Sequence, residues 1–477
     1  MNAVQLSDAR RTLVEKYLQG NSSPTSSSAS VITRRRSDRF APLSPTQEGI
    51  WRNAQRQGVP PFYNESITIH RKGPLDPLVL EQSLLEILRR HESWRTTFDM
   101  EDGQPVQIIH RTPDSFPLAV IDLRTSPSGE RDQAAQRAAK KEVERPFDLR
   151  EGPLVRGTLV RLDDEEYRLY MAIHQIIIDG VTAYHIFLPE LAVLYEAFSK
   201  SKPSPLPELP VQYADVSSWQ RNWLQGELQT QLAYWRKRLS GELPVLQWPN
   251  VHARPSRQTF RGTFRPFSLP QDLSRTLNDF SQREGVTLFV TLLSGFFALL
   301  HWYTKQRDII IGTVSPAGRK RAEAQQLLGY FLNPLPLRLD LSGDPTVREL
   351  LLRVQKVSVG ALSHDDVPFE TLVETLQPTN DPSRNPFFQV AASLEPPLPN
   401  VNPSWSLTPM DIESGGGRWD VYLVWDDRPT GIIGRVQYNP DLLEPPAITE
   451  MLRHQELLLQ KLAADPHQRL SQLAISV

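Results

Sequence analysis

A chain of 477 residues is long for one hydrophobic core and suits two bodies of roughly 200 residues each. Its composition, 39% hydrophobic and 23% charged, is that of a soluble globular protein, and a formal charge of −2 gives no reason to expect nucleic acid or an anionic membrane as partner. The absence of cysteine excludes disulfides, thiolate metal sites and cysteine nucleophiles, and MNAVQLSDARRT has no apolar signal core, so the cytoplasm is the expected compartment.

LSDARRTLVEKYLQG reads as a short amphipathic helix, N-capped by Ser7, striped by Leu13/Tyr17 and Val14/Leu18, and ended by Gly20. NSSPTSSSAS (21–30) cannot pack and reads as a linker, so residues 1–37 are an appendage to a body beginning near Phe40. ESITIHRK and PVQIIHR alternate as strands do, while PLVLEQSLLEILRRHESW places Leu78, Leu80, Leu84, Leu85 and Leu88 at helical spacing. LVRGTLVRL, the acidic turn DDEE and YRLYMAIHQ predict a β-hairpin that ends at His174, followed by a helix over 181–199. The proline-rich SKPSPLPELPVQYADVSSWQ is expected to be irregular and to join a first lobe (38–212) to a second (213–477).

A polar helix over Val216–Leu239 opens the second lobe. Gly285–Thr304 has no Asp, Glu, Lys or Arg and is about as long as a membrane span. Its three Thr, Ser, internal Gly and His favour a helix buried inside the protein, so no membrane is expected. RDIIIGTV, PLPLRLDL, FFQVAASL and DVYLVWDD are strand candidates, and no short repeat is present.

The stretch richest in chemistry is HQIIIDG. A histidine at a strand's end, with Asp179 and Gly180 just beyond, can place an imidazole at a turn facing a cavity. Gly180 allows close backbone approach, and its N–H can face a developing oxyanion. Taken alone, the pattern equally fits a core histidine and a turn aspartate. No second ligand stands at metal spacing, so no metal is expected.

The neighbouring stretches alter that balance. PLSPTQEGIW (42–51), RHESWRTTF (90–98), HQIIIDG (174–180), YADVSSWQ (213–220), IGTVSPAGR (311–319), LGYFLNPLPLR (328–338), HDDVPFETLVE (364–374) and SRNPFFQV (383–390) follow one another in this order. The series, spanning about residue 40 to 477, closely resembles the condensation domains of nonribosomal peptide synthetases. That resemblance implies an α/β fold of two chloramphenicol-acetyltransferase-like lobes in a V-shaped pseudo-dimer with a central tunnel. It implies acyl transfer, with a donor thioester attacked by the amine of an aminoacyl thioester. Both substrates would arrive on the phosphopantetheine arms of an upstream and a downstream carrier protein, beside an adenylation domain, with no cofactor of the domain's own. A crossover from second lobe to first is implied in SRNPFFQVAASLEPPLPN and the segment after it, with GGGRWDVYLVWDD as the return.

The family's motif reads H-H-x-x-x-D-G. Its first His maps to His174, its Asp to Asp179 and its Gly to Gly180, but the second His, to which the chemistry is assigned, maps to Gln175. Glutamine keeps a donor and an acceptor and titrates nowhere useful. Impaired turnover with competent binding is the natural reading, whether the change was introduced or arose naturally. The resemblance also implies a salt bridge from Asp179 to an arginine, either Arg319 or Arg95, and tunnel positions at Ser315, Tyr330 and Asn333. His91, His364 and Asp365–Asp366 are explained by capping or packing. Two other readings stay open: a non-catalytic module that binds or gates carrier proteins, and an ester-forming relative. HQIIIDGVTAYHIFLPELAVLYEAF further resembles condensation domains that follow polyketide modules, which implies a polyketide acyl donor.

Overall fold

The hairpin around the acidic turn is the centre of the first sheet. Val155–Asp163 and Glu166–His174 pair antiparallel, and Asn64–Lys72 lies along the hairpin's other side with Asn64 opposite His174. The computed structural model describes residues 31–36, 39–55, 60–248, 252–397, 401–409 and 411–473, so the helix and linker expected over 6–30 lie outside the described residues. In full, the five-stranded sheet runs Trp405–Pro409, Asn64–Lys72, Glu166–His174, Val155–Asp163, Leu118–Asp122.

A six-stranded sheet carries the C-terminal half, in the order Asn333–Asp340, Asp308–Ser315, Val390–Glu395, Val421–Arg428, Gly431–Tyr438, Thr263–Ser268. Its inner strands read as continuous apolar runs because they are buried on both faces, as in Ile309–Thr313. Each sheet packs helices against its own large core, giving two mixed α/β halves.

Leu288–Thr304 is the central helix of the second core, buried from Phe289 through Leu300. Its polar residues are satisfied internally: Ser294 Oγ donates to Val290 O, and Thr291 Oγ1 meets Ser281 Oγ at 2.7 Å. Gly295 lets the Pro445–Ala464 helix close in, since a Cβ there would lie 2.5 Å from Leu459 Cδ2. Among the described residues no single helix is long and apolar enough to cross a membrane.

Several expectations need correction. Tyr213 already lies in the helix Tyr213–Arg238, because Asp215 Oδ2 accepts from the Gln212 N–H (2.7 Å) and starts it before Val216. In Pro77–Arg90 the buried stripe is Leu80, Leu84, Ile87 and Leu88, whereas Leu78, one turn early, is exposed. Residues 31–36 are built into the body: Ile32 packs with Val211, Tyr213 and Phe331, and Arg35 pairs with Asp215 (3.0 Å) and Glu92 (2.5 Å).

The crossover lies after the expected FFQVAASL strand. The chain leaves the second sheet at Glu395, adds Trp405–Pro409 to the first sheet's edge, and rejoins the second at Val421. On its return it grazes the first half, where a Cβ on Gly416 would lie 2.4 Å from Phe62 Cα. Backbone cannot step aside as a side chain can. Gly416→Ala should therefore lower the thermal midpoint by the equivalent of about 1–3 kcal/mol, the usual cost of overpacking. An unchanged melting curve would mean the crossing has slack.

Candidate active site

The turn after His174 is built from side chains the sequence had marked as reactive. His174 is buried, its Nδ1 accepts from the Ile176 N–H (3.2 Å), and the rings of Tyr63 and Phe147 pack around it. Burial pulls its pKa down to about 3, so the imidazole is neutral and bound to the turn. Its work is positional. The turn is further held by Gln175 N–H to Tyr63 O (2.8 Å) and by Gln47 Nε2, which donates to Ile176 O (2.9 Å). Gln47 can reach because Ser44 caps the helix Pro45–Ala54: Ser44 Oγ accepts from Gln47 N–H while Gln47 Oε1 accepts from Ser44 N–H.

Gln175 stands at the position the motif assigns to the chemistry. Its side chain is 5% exposed, and among the described residues its Oε1 has no donor. A buried carbonyl oxygen left unpaired is costly unless a ligand completes it.

Asp179 fastens the two halves together. Oδ1 accepts from the Thr182 N–H (2.8 Å), capping the helical run that starts at Gly180, and Oδ2 accepts from Phe331 N–H (2.9 Å) in the C-terminal half. Arg319 is the cation that pairs with it, its Nη2 3.6 Å from Oδ1. The guanidinium also donates to Leu327 O (3.0 Å) and to Thr182 Oγ1, and it lies over the Phe331 ring. Burial pulls the Arg319 pKa down, and Asp179 opposes that. Arg95 is engaged elsewhere, donating to Leu88 O and His110 O and lying 3.8 Å from Glu92, so the expectation that it pairs with Asp179 is withdrawn.

Gly180 is under less steric demand than expected: a Cβ there would sit at ordinary distances, 3.5 Å from Glu395 Oε2 and from the Tyr184 ring. That contact shows that the C-terminal half reaches the motif. The helical run continues through a single π turn, Ala183–Phe187, into Leu188–Phe198.

The other named residues are mostly structural. Ser315 and Asn333 are buried, at 2% and 1% exposed, and face a loop rather than a tunnel. Ser315 Oγ donates to Asp365 Oδ2 (2.5 Å), and Lys320 Nζ donates to Asp365 Oδ1. Asn333 Nδ2 donates to Asp365 O and Val367 O, and its Oδ1 accepts from Phe369 N–H. Asp366 accepts from Gln231, His364 stacks on Tyr234, and His91 bridges Glu190 and the Leu328 N–H. Tyr330 is buried, its carbonyl accepting from Tyr213 OH, and its phenol faces Arg418.

That phenol belongs to a buried cluster of charged and phenolic groups, drawn from both halves, that sequence reasoning missed. Glu65 feels Arg418 and Arg435; Glu395 lies 3.5 Å from Arg435; Tyr63 and Tyr330 share the fields of Arg418 and Glu370. Burial raises the carboxyl pKa values of Glu65, Glu370 and Glu395. Glu370 had a visible signal, lying in HDDVPFETLVE, and Arg418 follows a run of three glycines. Among the described residues no three His, Cys, Asp or Glu side chains are grouped to hold a metal ion.

The family model described as Condensation domain matches residues 37–476. One of the linear gramicidin synthase proteins of Brevibacillus parabrevis is 39% identical over 445 residues, covering 91% of this chain and 9% of that protein. Phosphinothricin tripeptide synthetase PhsC of Streptomyces viridochromogenes is 35% identical over 481 residues, covering 98% of this chain and 43% of that protein. The chain thus spans less than half the length of either relative. A solved complex of the X-domain and OxyB from teicoplanin biosynthesis superposes with a TM-score of 0.81 at 25% identity, over 95% of this chain and 100% of that one.

Proposed function

The chain belongs to the condensation-domain family, and from that premise we propose that it forms amide bonds between carrier-bound substrates. The donor is an acyl thioester on the phosphopantetheine arm of an upstream carrier protein. The acceptor is an aminoacyl thioester on a downstream one, with an adenylation domain as neighbour. The observation that carries this reading is the intact clamp around residue 175, in which Asp179, Arg319 and Phe331 hold the motif against the other half.

Gln175 marks where the reaction is slowed. Its unpaired Oε1 can accept a hydrogen bond from the incoming amine and so orient it. It cannot remove the proton that must leave as the amide forms, a service worth about 10²–10⁴ in rate. His174, neutral and committed to the turn, does not replace it.

A non-catalytic binding role has one observation in its favour: the X-domain of the solved complex is bound to another protein, OxyB. Mass spectrometry of the acceptor carrier, after incubation with both loaded carriers, separates the two readings. Product on the acceptor arm supports amide formation; carrier binding without product, in the Gln175 and the Gln175→His proteins alike, supports the binding role.

For the donor we propose a polyketide acyl chain on an acyl carrier protein, from the likeness of residues 174–198 to domains that follow polyketide modules. Offered polyketide-type and aminoacyl donors in parallel, the Gln175→His protein should turn over the former faster. An equal or reversed preference would remove this assignment.

A further inference from the structure

The loop held by Ser315 and Asn333 contributes one side chain, Glu370, to the buried polar cluster between the halves. Asn333 fixes the backbone of Asp365, Val367 and Phe369, and the helix Phe369–Leu376 begins there with Glu370 in its first turn. The Glu370 carboxylate crosses to the helix Pro45–Ala54 and occupies the space of an absent side chain: a Cβ on Gly49 would lie 1.9 Å from its Oε1. That same helix carries Gln47, which holds the turn at Ile176. The link to the turn is Tyr63: its phenol, bonded by Asn53 one turn along the helix from Gly49, lies in the field of Glu370, and its carbonyl holds the Gln175 N–H.

What faces Glu370 is unevenly committed. Arg52, on the Gly49 helix, pairs with Glu374 (2.7 Å) and Glu48 (3.3 Å). Arg418 is shared with Tyr330, Tyr63 and Glu65. Glu395 has Arg435 beside it, and Glu65 lies in the field of two arginines. Among the described residues no cation is within ion-pair distance of Glu370 and no side chain donates to it; its own backbone N–H does. A carboxylate so placed calls for a cationic or N–H-bearing ligand.

We propose that Glu370 receives the acceptor's amine, binding it as an ammonium and taking the proton that frees the nitrogen lone pair. This deepens the amide-forming reading and rests on it. The ammonium gives one proton to the Glu370 carboxylate. The nitrogen then bonds to the thioester carbonyl carbon, the C–S bond breaks, and the adduct's N–H proton leaves with the donor-arm sulfur as a thiol. Glu370 returns its proton to solvent.

The pH dependence follows from the carboxyl's surroundings. Burial pushes its pKa up to about 7, and Glu374 adds to the rise, against its own backbone N–H, Arg52 and Arg418. Tyr63 and Tyr330 also lie in its field, and Glu48 shares Arg52 with it. The ionised form, the one able to take a proton, grows in as pH rises through about 7. Stability runs the other way. A carboxyl whose folded pKa is raised favours the native state below its unfolded value, and that contribution is lost as pH rises through the folded one.

The test compares wild type with Glu370→Gln and Gly49→Ala, using a synthetic aminoacyl-pantetheine thioester and its N-acetyl analogue. Glu370→Gln should weaken the aminoacyl ligand about tenfold at pH 8, the scale of a charge-assisted hydrogen bond, and leave the N-acetyl ligand unchanged. It should also slow single-turnover amide formation by roughly 10²-fold and remove the rising limb near pH 7. Glu370→Asp should recover part of both. Gly49→Ala, which displaces the carboxylate, should act in the same direction. Melting of Glu370→Gln at pH 8 no lower than wild type would show that the fold is not what was lost. Unchanged affinity and an unchanged limb, in a wild type that makes amide, overturn the role of Glu370 alone. No amide from either the Gln175 or the Gln175→His protein overturns the reaction, and this role with it.

Discussion

Replacing Gln175 by histidine should raise single-turnover amide formation by about 10²–10⁴, the span of a general acid–base group. The fold around the position asks for nothing else. The Gln175 N–H is held by Tyr63 O, the preceding imidazole by Ile176 N–H, and the following turn by Gln47, so a new side chain inherits a fixed backbone. Glutamine's Oε1 already waits there without a donor. An imidazole in its place supplies the acceptor and can also carry away the adduct's N–H proton. The ratio of histidine to glutamine rates should grow with pH across the imidazole titration, which isolates it from other groups common to both proteins. Carrier affinity should barely change, because residue 175 is buried. A Gln175→His protein no faster than the glutamine form would sink the catalytic reading of this motif.

Asp179→Ala should cost more stability than any substitution at Gln175. Removing one partner of a buried pair costs about 3–5 kcal/mol because the other charge is stranded. Here the loss is threefold: the Arg319 guanidinium loses its counter-ion, Thr182 N–H its cap, and Phe331 N–H its acceptor. Gln175→Ala removes a neutral group whose Oε1 makes no bond within the described residues. Thermal melts of the two variants decide this. Equal midpoints would deny Asp179 its structural role. Because Asp179 joins residues of both halves, its loss should also reduce the rate in a Gln175→His background.

Local pattern revealed the hairpin because strict alternation leaves few other readings, and it placed His174 at a strand end for the same reason. Burial was the invisible term. Nothing in HQIIIDG says that the first histidine is neutral and spent on a turn. Nor could the sequence choose between Arg319 and Arg95, since both lie in motifs and only tertiary packing brings one of them to Asp179. Ser315 and Asn333 were marked as important, and they are, but as the clamp on another loop. Glu370 and Arg418 escaped because a single charge on an amphipathic helix or beside glycines looks like surface. WSLTP escaped for a different reason: a five-residue stretch with a proline is a poor strand by pattern, and it is tolerated here at a sheet edge.

The exchange of Trp405–Pro409 has a bearing on how the chain can be divided. A gene cut in the proline-rich stretch near residue 212 would give an N-terminal fragment whose Asn64–Lys72 strand has no neighbour on its outer side. Its buried Ile67 and Ile69 would then border a row of bare amide and carbonyl groups, a template for stacking onto further copies. The C-terminal fragment would carry an orphan strand with nothing to zip onto. The halves are therefore reciprocal chaperones, and swapping one of them between related enzymes at that point transplants a mismatched β-ladder along with it.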